Sequence, residues 1–246
     1  MQGRHLMLDS AAMGRKVHVW AYGNYGLPVI AFPSAAGFAH EWDKQGMVAV
    51  LEPLLQRGRI KLYCPESNVS EAWTRKESPL GERMQKHLAY ERFVLDTLVP
   101  FVRQDCRWAD APIAATGCSL GAMYAVNFAL KHPEVFRRAL GMSGRYLATA
   151  LTDGQVNGDV YFSSPLHHVP GLQGEALGRV QRATNITLVC GQGPYEEGCI
   201  EETIALGQLL DRKGIPNLTD IWGKDSKHDW PWWKEQLSRH AVRALA

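Results

Sequence analysis

Five residues near the middle of the chain constrain its fold more than any other stretch. Gly117-Cys118-Ser119-Leu120-Gly121 reads G-x-S-x-G, follows a short apolar run typical of a strand, and opens a helical pattern that reaches residue 131. Glycines two residues before and two after a serine remove the Cβ atoms that would collide in a tight strand-to-helix turn. The pattern therefore predicts Ser119 at the tip of such a turn, as a candidate nucleophile beside the positive end of a helix.

Strand-like and helix-like stretches alternate along the chain, which is typical of an α/β sheet. Strand patterns fall at residues 16–21, 29–32, 60–64, 112–116, 138–142, 186–190 and 218–222, and helical patterns at 47–57, 80–106, 121–131, 200–213 and 231–245. Turn-forming residues at 22–28 predict a hairpin connection. Pro100 is expected to kink its helix or to start a second one. Residues 144–185 show little periodicity and predict an irregular, cap-like excursion within a single domain of residues 1–246.

Composition excludes several classes of function. The 27 Lys and Arg residues against 25 acids give a formal charge of only +2, so we expect no nucleic-acid partner and no attraction to an anionic membrane surface. The sequence contains no apolar run long enough to span a bilayer and no apolar leader near residue 1. Five cysteines without a C-x-x-C pair favour a reduced, cytoplasmic compartment. We expect no cofactor and no metal, and oligomeric state is left open.

A base is expected to follow the nucleophile late in the chain. In sheets with this serine turn, the order along the sequence is serine, then Asp or Glu, then histidine. His228 lies in the loop 223–229, after the last strand pattern and before the last helical pattern, where its ring can reach back over the sheet to Ser119. His167 and His168 are the reserve candidates, in the irregular excursion.

The acid should hold the imidazole in one orientation and stabilise its protonated form. It is expected after the strand 186–190, where the loop contains two neighbouring glutamates, Glu196 and Glu197. The residues alone do not separate these two. Asp153 and Asp159 remain a further alternative, after the preceding strand.

Three stretches together resemble a known family. They are FPSAAG after an early strand, GCSLGA at the serine turn, and HDWPWWKEQL before the last helix. They are similar to the family called "Putative esterase", which includes esterase D, feruloyl esterases and mycolyltransferases, over nearly the whole chain from about Ser10. The resemblance implies an α/β-hydrolase fold, with a mostly parallel central sheet of about eight strands and helices on both faces.

The resemblance also implies roles for individual residues. Relatives take one oxyanion amide from the loop after the first central strand and another from the residue after the nucleophile. Here these amides belong to Ala35 and Leu120. The resemblance favours Glu196 over Glu197 as the acid, although the commoner acid in the family is Asp.

Aromatic residues and histidines in loops at the same end of the sheet are candidates for substrate contact. Trp73, His40 and His167 are the residues we single out, because open α/β sheets bind ligands beyond the carboxyl ends of their strands. The four tryptophans near His228 are interpreted as core packing, with the alternative that one indole fixes the histidine loop. Ser143 is interpreted as a loop residue.

These residues predict a serine hydrolase that cleaves a carboxylic ester of a small molecule through a Ser-His-Glu triad and an acyl-enzyme. Two alternatives stay open at this stage. The chain could instead be an acyltransferase that uses the same triad. It could also be a catalytically inactive α/β-hydrolase scaffold that binds a ligand or a partner protein.

Overall fold

A computed structural model describes residues 2–246, and its centre is an eight-stranded sheet. The strand order is β1-β2-β4-β3-β5-β6-β7-β8. Strands β1, β2 and β4 pair antiparallel, and the remaining pairings are parallel. The mostly parallel eight-stranded sheet is therefore confirmed. The strands are β1 Arg4–Ser10, β2 Arg15–Tyr22, β3 Leu27–Phe32, β4 Ile60–Pro65, β5 Ile113–Cys118, β6 Phe136–Met142, β7 Asn185–Cys190 and β8 Asn217–Ile221.

The amino-terminal strands differ from the expectation in two ways. The hairpin predicted across residues 22–28 is wrong, because β4 lies between β2 and β3. The turn there carries Gly26 at φ 120°, where a side chain would lie 2.6 Å from the backbone of Arg59. The hairpin is instead formed by β2 with β1, a strand that the sequence analysis missed. Strand β1 forms the edge of the sheet, and its exposed, mixed sequence lacks the apolar alternation of a half-buried strand.

Helices cover both faces of the sheet, as expected. Helices α2 and α10 pack on one face and α3, α4, α5 and α9 on the other, each with its own apolar cluster against the strands. The helices are α1 Glu41–Lys44, α2 Met47–Gln56, α3 Leu80–Phe93, α4 Val99–Asp105, α5 Leu120–Lys131, α6 Gly158–Phe162, α7 Pro165–His168, α8 Gly174–Ala183, α9 Cys199–Arg212 and α10 Trp230–Leu245. Among the helices of residues 2–246, none is long and apolar enough to cross a membrane.

Pro100 lies within one continuous helical stretch. Helix α3 ends at Phe93, residues 94–98 form a π-helical segment, and α4 begins at Val99 with Pro100 in its first turn. The backbone angles stay helical at Phe93, Leu98 and Val99, so α4 continues the stretch that α3 begins. The sequence left a kink and a second helix as alternatives. The structure shows a single stretch with a π-helical irregularity directly before Pro100, the kind of irregularity at which helices bend.

The segment between β6 and β7 is more regular than expected. It contains α6, α7 and α8, which the sequence analysis missed, because two of them have only five and four residues. Helix α6 packs against α3, α7 packs against α5 and α9, and Val180 of α8 belongs to the apolar cluster on the same face of the sheet. The Arg83 guanidinium donates to the Leu151 carbonyl at 2.8 Å and ties the segment to α3. That the segment also covers the catalytic edge stays a prediction.

A buried ion pair joins α3 to α5, the helix that follows Ser119. Lys131 Nζ donates to both Glu91 carboxylate oxygens, at 2.9 and 2.7 Å. Burial by itself raises the pKa of Glu91, but interactions with His87 and Lys131 outweigh it and lower the pKa from 4.5 to about 2. Since this pKa lies below that of an unfolded chain, ionised Glu91 stabilises the fold above about pH 4.5, and its contribution is lost as the pH falls towards 2.

Glu91→Gln is expected to lower the free energy of unfolding near neutral pH by about 3 kcal/mol, because Lys131 loses a buried partner. The difference between wild type and variant should shrink as the pH falls from about 5 to about 2. Urea unfolding across this range measures it, with exposed Glu82→Gln on the same helix as the control. A difference that is independent of pH contradicts the prediction.

Candidate active site

The G-x-S-x-G residues form a tight turn between β5 and α5, with Ser119 at φ 55° and ψ −120°. A Cβ at Gly117 would overlap the Gly121 carbonyl, and one at Gly121 would lie 2.5 Å from the Phe32 carbonyl oxygen. Both glycines are therefore needed where the turn presses against itself and against β3. The Ser119 amide donates to the Met142 carbonyl at 2.9 Å, which ties the turn to β6.

The loop after β8 brings His228 to the serine. His228 Nε2 lies 3.0 Å from Ser119 Oγ, although the two residues are 109 positions apart in the sequence. The His228 amide donates to the Pro194 carbonyl at 3.2 Å, so this loop is attached to the loop after β7. The structure thus places the sequence-predicted base within hydrogen-bond distance of the sequence-predicted nucleophile.

Of the two neighbouring glutamates, Glu196 faces the histidine. Its Oε2 lies 3.1 Å from His228 Nδ1, and its side chain is only 1% exposed. Because a carboxylate only accepts hydrogen bonds, Nδ1 carries the proton and Nε2 is free to accept from Ser119. Glu197 is exposed to solvent. The alternatives Asp153 and Asp159 lie away from the imidazole, Asp153 in an ion pair with Lys76 at 2.5 Å and Asp159 in the first turn of α6.

The loops that carry Glu196 and His228 touch through backbone atoms. The Gly193 amide donates to the Ser226 carbonyl at 2.8 Å. A Cβ at Gly191 would overlap that same carbonyl, and one at Gly193 would lie 2.5 Å from it. Glycine at both positions lets the two loops approach closely, and this contact holds the loops of Glu196 and His228 together.

Ser143, which the sequence analysis interpreted only as a loop residue, and Trp233 support the second carboxylate oxygen of Glu196. Ser143 Oγ donates to Glu196 Oε1 at 2.6 Å, and the Trp233 indole N–H donates to Ser143 Oγ at 3.0 Å. The Trp233 ring also stands edge-on to the His228 ring, with centroids 4.9 Å apart. One indole therefore contacts the histidine and, through Ser143, the acid. Trp233 is one of the four tryptophans near His228 for which the sequence left open a role in fixing the histidine loop, whereas Ser143 was interpreted only as a loop residue.

The two amides expected at the oxyanion position lie in distinct environments. Leu120 is the first residue of α5, so no earlier carbonyl of that helix accepts from its amide. Ala35 is exposed and lies in a tight turn. The hydrogen bond that closes this turn runs from the Gly37 amide to the Ser34 carbonyl, at 3.1 Å, and does not involve the Ala35 amide.

Glu41, which sequence reasoning also missed, anchors this turn. Its buried carboxylate accepts from the amide and from the hydroxyl of Ser34, each at 2.6 Å. The backbone next to Ala35 is thus held by a charged group inside the protein.

The three residues singled out for substrate contact have different surroundings. Trp73 is 1% exposed and its indole donates to the Tyr124 hydroxyl at 2.9 Å, so it is a core residue and the expected substrate contact is wrong. His40 is partly exposed and stacks on Phe38, and His167 stacks on Tyr161. Substrate contact by these two histidines stays a prediction.

Glu196 and His228 also belong to a group of side chains with metal-ligand character. Single ligand atoms of Glu196, Cys199 and His228 lie within 4.8 Å of one another. Burial raises the pKa of the Cys199 thiol to about 12, with a smaller contribution from Glu196, so the thiolate that binds metals is disfavoured. Both His228 nitrogens already face Ser119 and Glu196. The donor set therefore fits a hydrogen-bonded relay better than a metal centre.

Comparison with known families identifies the chain. The family model described as "Putative esterase" matches residues 10–244, which is nearly the whole sequence. The chain belongs to this esterase family. Membership makes it a carboxylesterase-type enzyme, and the predicted resemblance is confirmed. No curated protein sequence matches the chain.

Several solved structures share the fold of this esterase. A ferulic acid esterase superposes with a TM-score of 0.75 at 18% identity, over 97% of this chain and 95% of that one. An S-formylglutathione hydrolase (FrmB) from Staphylococcus aureus has a TM-score of 0.74 at 14% identity, over 98% and 95% of the two chains. MPT51 (FbpC1) from Mycobacterium tuberculosis has a TM-score of 0.66 at 17% identity, with both chains fully covered. The α/β-hydrolase fold is thereby shown.

Ser143→Ala is expected to lower kcat for ester hydrolysis about tenfold to hundredfold, since a hydrogen bond to a charged group is worth roughly 1.5–3 kcal/mol. KM should stay within about twofold, because Ser143 is buried behind the acid. Trp233→Phe keeps the ring against His228 and leaves the Ser143 bond to Glu196, so its effect should be smaller. Steady-state kinetics of the three proteins measure this, and an unchanged kcat in Ser143→Ala contradicts it.

Proposed function

We propose that this esterase hydrolyses carboxylic esters of small molecules, with Ser119 as nucleophile, His228 as general base and Glu196 as the acid that orients it. One observation carries the proposal. The His228 ring lies between the other two groups, with Nε2 3.0 Å from Ser119 Oγ and Nδ1 3.1 Å from Glu196 Oε2. Both distances are within the range for proton transfer and for orientation of the base.

In the first step Ser119 Oγ attacks the ester carbonyl carbon while His228 Nε2 accepts its proton. The ring then carries a positive charge, which the buried Glu196 carboxylate stabilises through Nδ1. Ser143 keeps the other carboxylate oxygen engaged, so the acid cannot turn away from the ring.

The negative charge that develops on the carbonyl oxygen is stabilised by the Leu120 and Ala35 amides. The Leu120 amide lies at the positive end of α5, where the helix dipole also favours an anion. Glu41 supports the Ala35 side by holding Ser34. Removing one such donor from a site of this kind costs on the order of 10²–10³ in rate, so amide placement matters as much as the relay.

The remaining steps reuse the same groups. Protonated His228 gives its proton to the leaving alcohol oxygen, the ester C–O bond breaks, and the acyl group stays on Ser119 Oγ. A water molecule then attacks this acyl-enzyme while His228 accepts the water proton. The carboxylic acid leaves and Ser119 regains its proton.

We also propose that the protein works in a reducing, cytoplasmic compartment. All five cysteines are free thiols, and four of them are buried. No disulfide therefore contributes to the fold, which suits a compartment in which thiols stay reduced.

Ser119→Ala and His228→Ala are each expected to lower the rate of p-nitrophenyl acetate hydrolysis by at least about a thousandfold, because each removes a group that reacts directly. A fluorophosphonate probe should label wild type and leave Ser119→Ala unlabelled. Melting temperatures of the variants provide the control for folding. Activity retained by either variant overturns the assignment.

The two adjacent glutamates provide a matched test of the acid. Glu196→Gln is expected to lower kcat roughly a hundredfold or more, because the neutral amide does not stabilise the charged imidazole. Glu197→Gln, an identical change on an exposed neighbour, should leave kcat within about twofold. Equal kinetics of the two variants contradict the role of Glu196.

A further inference from the structure

Two adjoining cavities open at the edge of the sheet opposite Ser119. The first, the arginine cavity, has a volume of about 380 Å³ and lies where β6 and β7 begin. The second, the tryptophan cavity, has about 310 Å³ and lies where β3 and β5 begin. Strand β6 has 7 residues. At about 3.3 Å per residue the cavities lie roughly 20 Å from the catalytic edge. They are therefore separate from the proposed active site.

The arginine cavity concentrates positive charge. Its lining includes Arg137, Arg138, Arg182 and Arg243 and no Asp or Glu. Arg182 pairs with Glu175 at 2.6 Å, and Arg138 donates to the Arg243 carbonyl at 3.2 Å. Within residues 2–246, the guanidinium groups of Arg137 and Arg243 form no ion pair. Since the whole chain carries only +2, this local excess of cations indicates a site for an anion.

Guanidinium groups favour one kind of anion. Their planar, multiple donors match the oxygens of a phosphate group in pairs, and they stay charged at any physiological pH. Four of them around one cavity can bind more than one phosphate group. Ala246 lines the neighbouring cavity.

The tryptophan cavity has a different character. Trp108, which is 44% exposed, lines it together with the apolar side chains of Leu27, Pro112 and Ile113. A large aromatic ring at the mouth of an apolar cavity provides a surface on which a planar ring can stack. Arg137 and Arg138 line both cavities, so one ligand can occupy the two together. Each volume is in the range of small-molecule sites.

We propose that this edge of the sheet binds a phosphorylated small molecule with a planar aromatic group, the chemistry of a nucleoside polyphosphate. The phosphates contact Arg137, Arg138 and Arg243, and the planar ring packs against Trp108. This site is independent of ester hydrolysis, so Ser119→Ala should bind the ligand as wild type does.

Calorimetric titration of the full chain with ATP, inorganic triphosphate and adenosine tests the proposal. ATP is expected to bind in a saturable manner, and each of the other two at least about tenfold more weakly, because each fills one cavity only. Triphosphate that binds as tightly as ATP would show a simple anion site and overturn the role of the tryptophan cavity. Absence of saturable ATP binding overturns the whole proposal.

Variants separate the two cavities. Arg137→Gln with Arg138→Gln should weaken ATP binding at least about tenfold, while Trp108→Ala should weaken ATP binding about fivefold and leave triphosphate binding unchanged. Arg182→Gln with Arg243→Gln is the second pair, should the first fail to fold.

The matched control removes two exposed arginines elsewhere, Arg75→Gln with Arg92→Gln. This pair should bind ATP as wild type does, and kcat for ester hydrolysis should be unchanged in every one of these variants. An equal loss of ATP affinity in the control pair would show that binding follows net charge alone, and would overturn the proposal.

Discussion

The Glu196 carboxylate is the group around which the catalytic edge is organised. A buried charge is costly unless it is hydrogen-bonded, and this one is 1% exposed. It is compensated by the Ser143 hydroxyl, the His228 ring and, at 3.4 Å, the Cys190 thiol. Ser143 directly follows β6, His228 lies in the loop after β8, and Cys190 is the last residue of β7. One carboxylate therefore joins the ends of three parallel strands.

Backbone strain is concentrated at the same place. Ser119, Ser143 and Tyr195 adopt positive φ angles of 55°, 51° and 68°, which side-chain-bearing residues rarely adopt. Ser119 and Ser143 directly follow β5 and β6, and Tyr195 directly precedes Glu196. Such conformations persist only where the surroundings over-determine them. Cys118 and Met142, which directly precede the two serines, belong to one of the apolar clusters of the sheet.

Much of the fold and part of the site could be predicted from the sequence. The spacing of two glycines around Ser119 is a local signal, and the order of serine, acid and histidine placed His228 near it. Neighbouring residues could not decide between Glu196 and Glu197, because the answer depends on which side chain turns toward the partly buried imidazole of His228. Ser143 and Glu41 carried no pattern, since their partners lie on other elements or are backbone atoms.

The errors have a common physical cause. Strand β1 is an edge strand in which only Leu6 and Leu8 pack, partly buried, against the apolar core, so the apolar pattern in its sequence is short. The pairing of β2 with β4 rather than β3 depends on contacts far apart along the chain. Trp73 looked like a loop residue open to ligands, but the loop folds inward and Tyr124 accepts its indole N–H. Sequence position alone did not show which way that loop turns.

The backbone contact between Gly191, Gly193 and Ser226 has a consequence for how such a protein can diversify. Because the two loops meet through main-chain atoms, exchanging side chains elsewhere on them changes the spacing of acid and base little. Under the proposed assignment, new substrate preferences would then arise in other elements, for which the turn that carries Ala35 and the predicted cap between β6 and β7 are the candidates. A mutant library confined to those two regions would vary substrate selectivity and leave the groups proposed for the reaction itself unchanged.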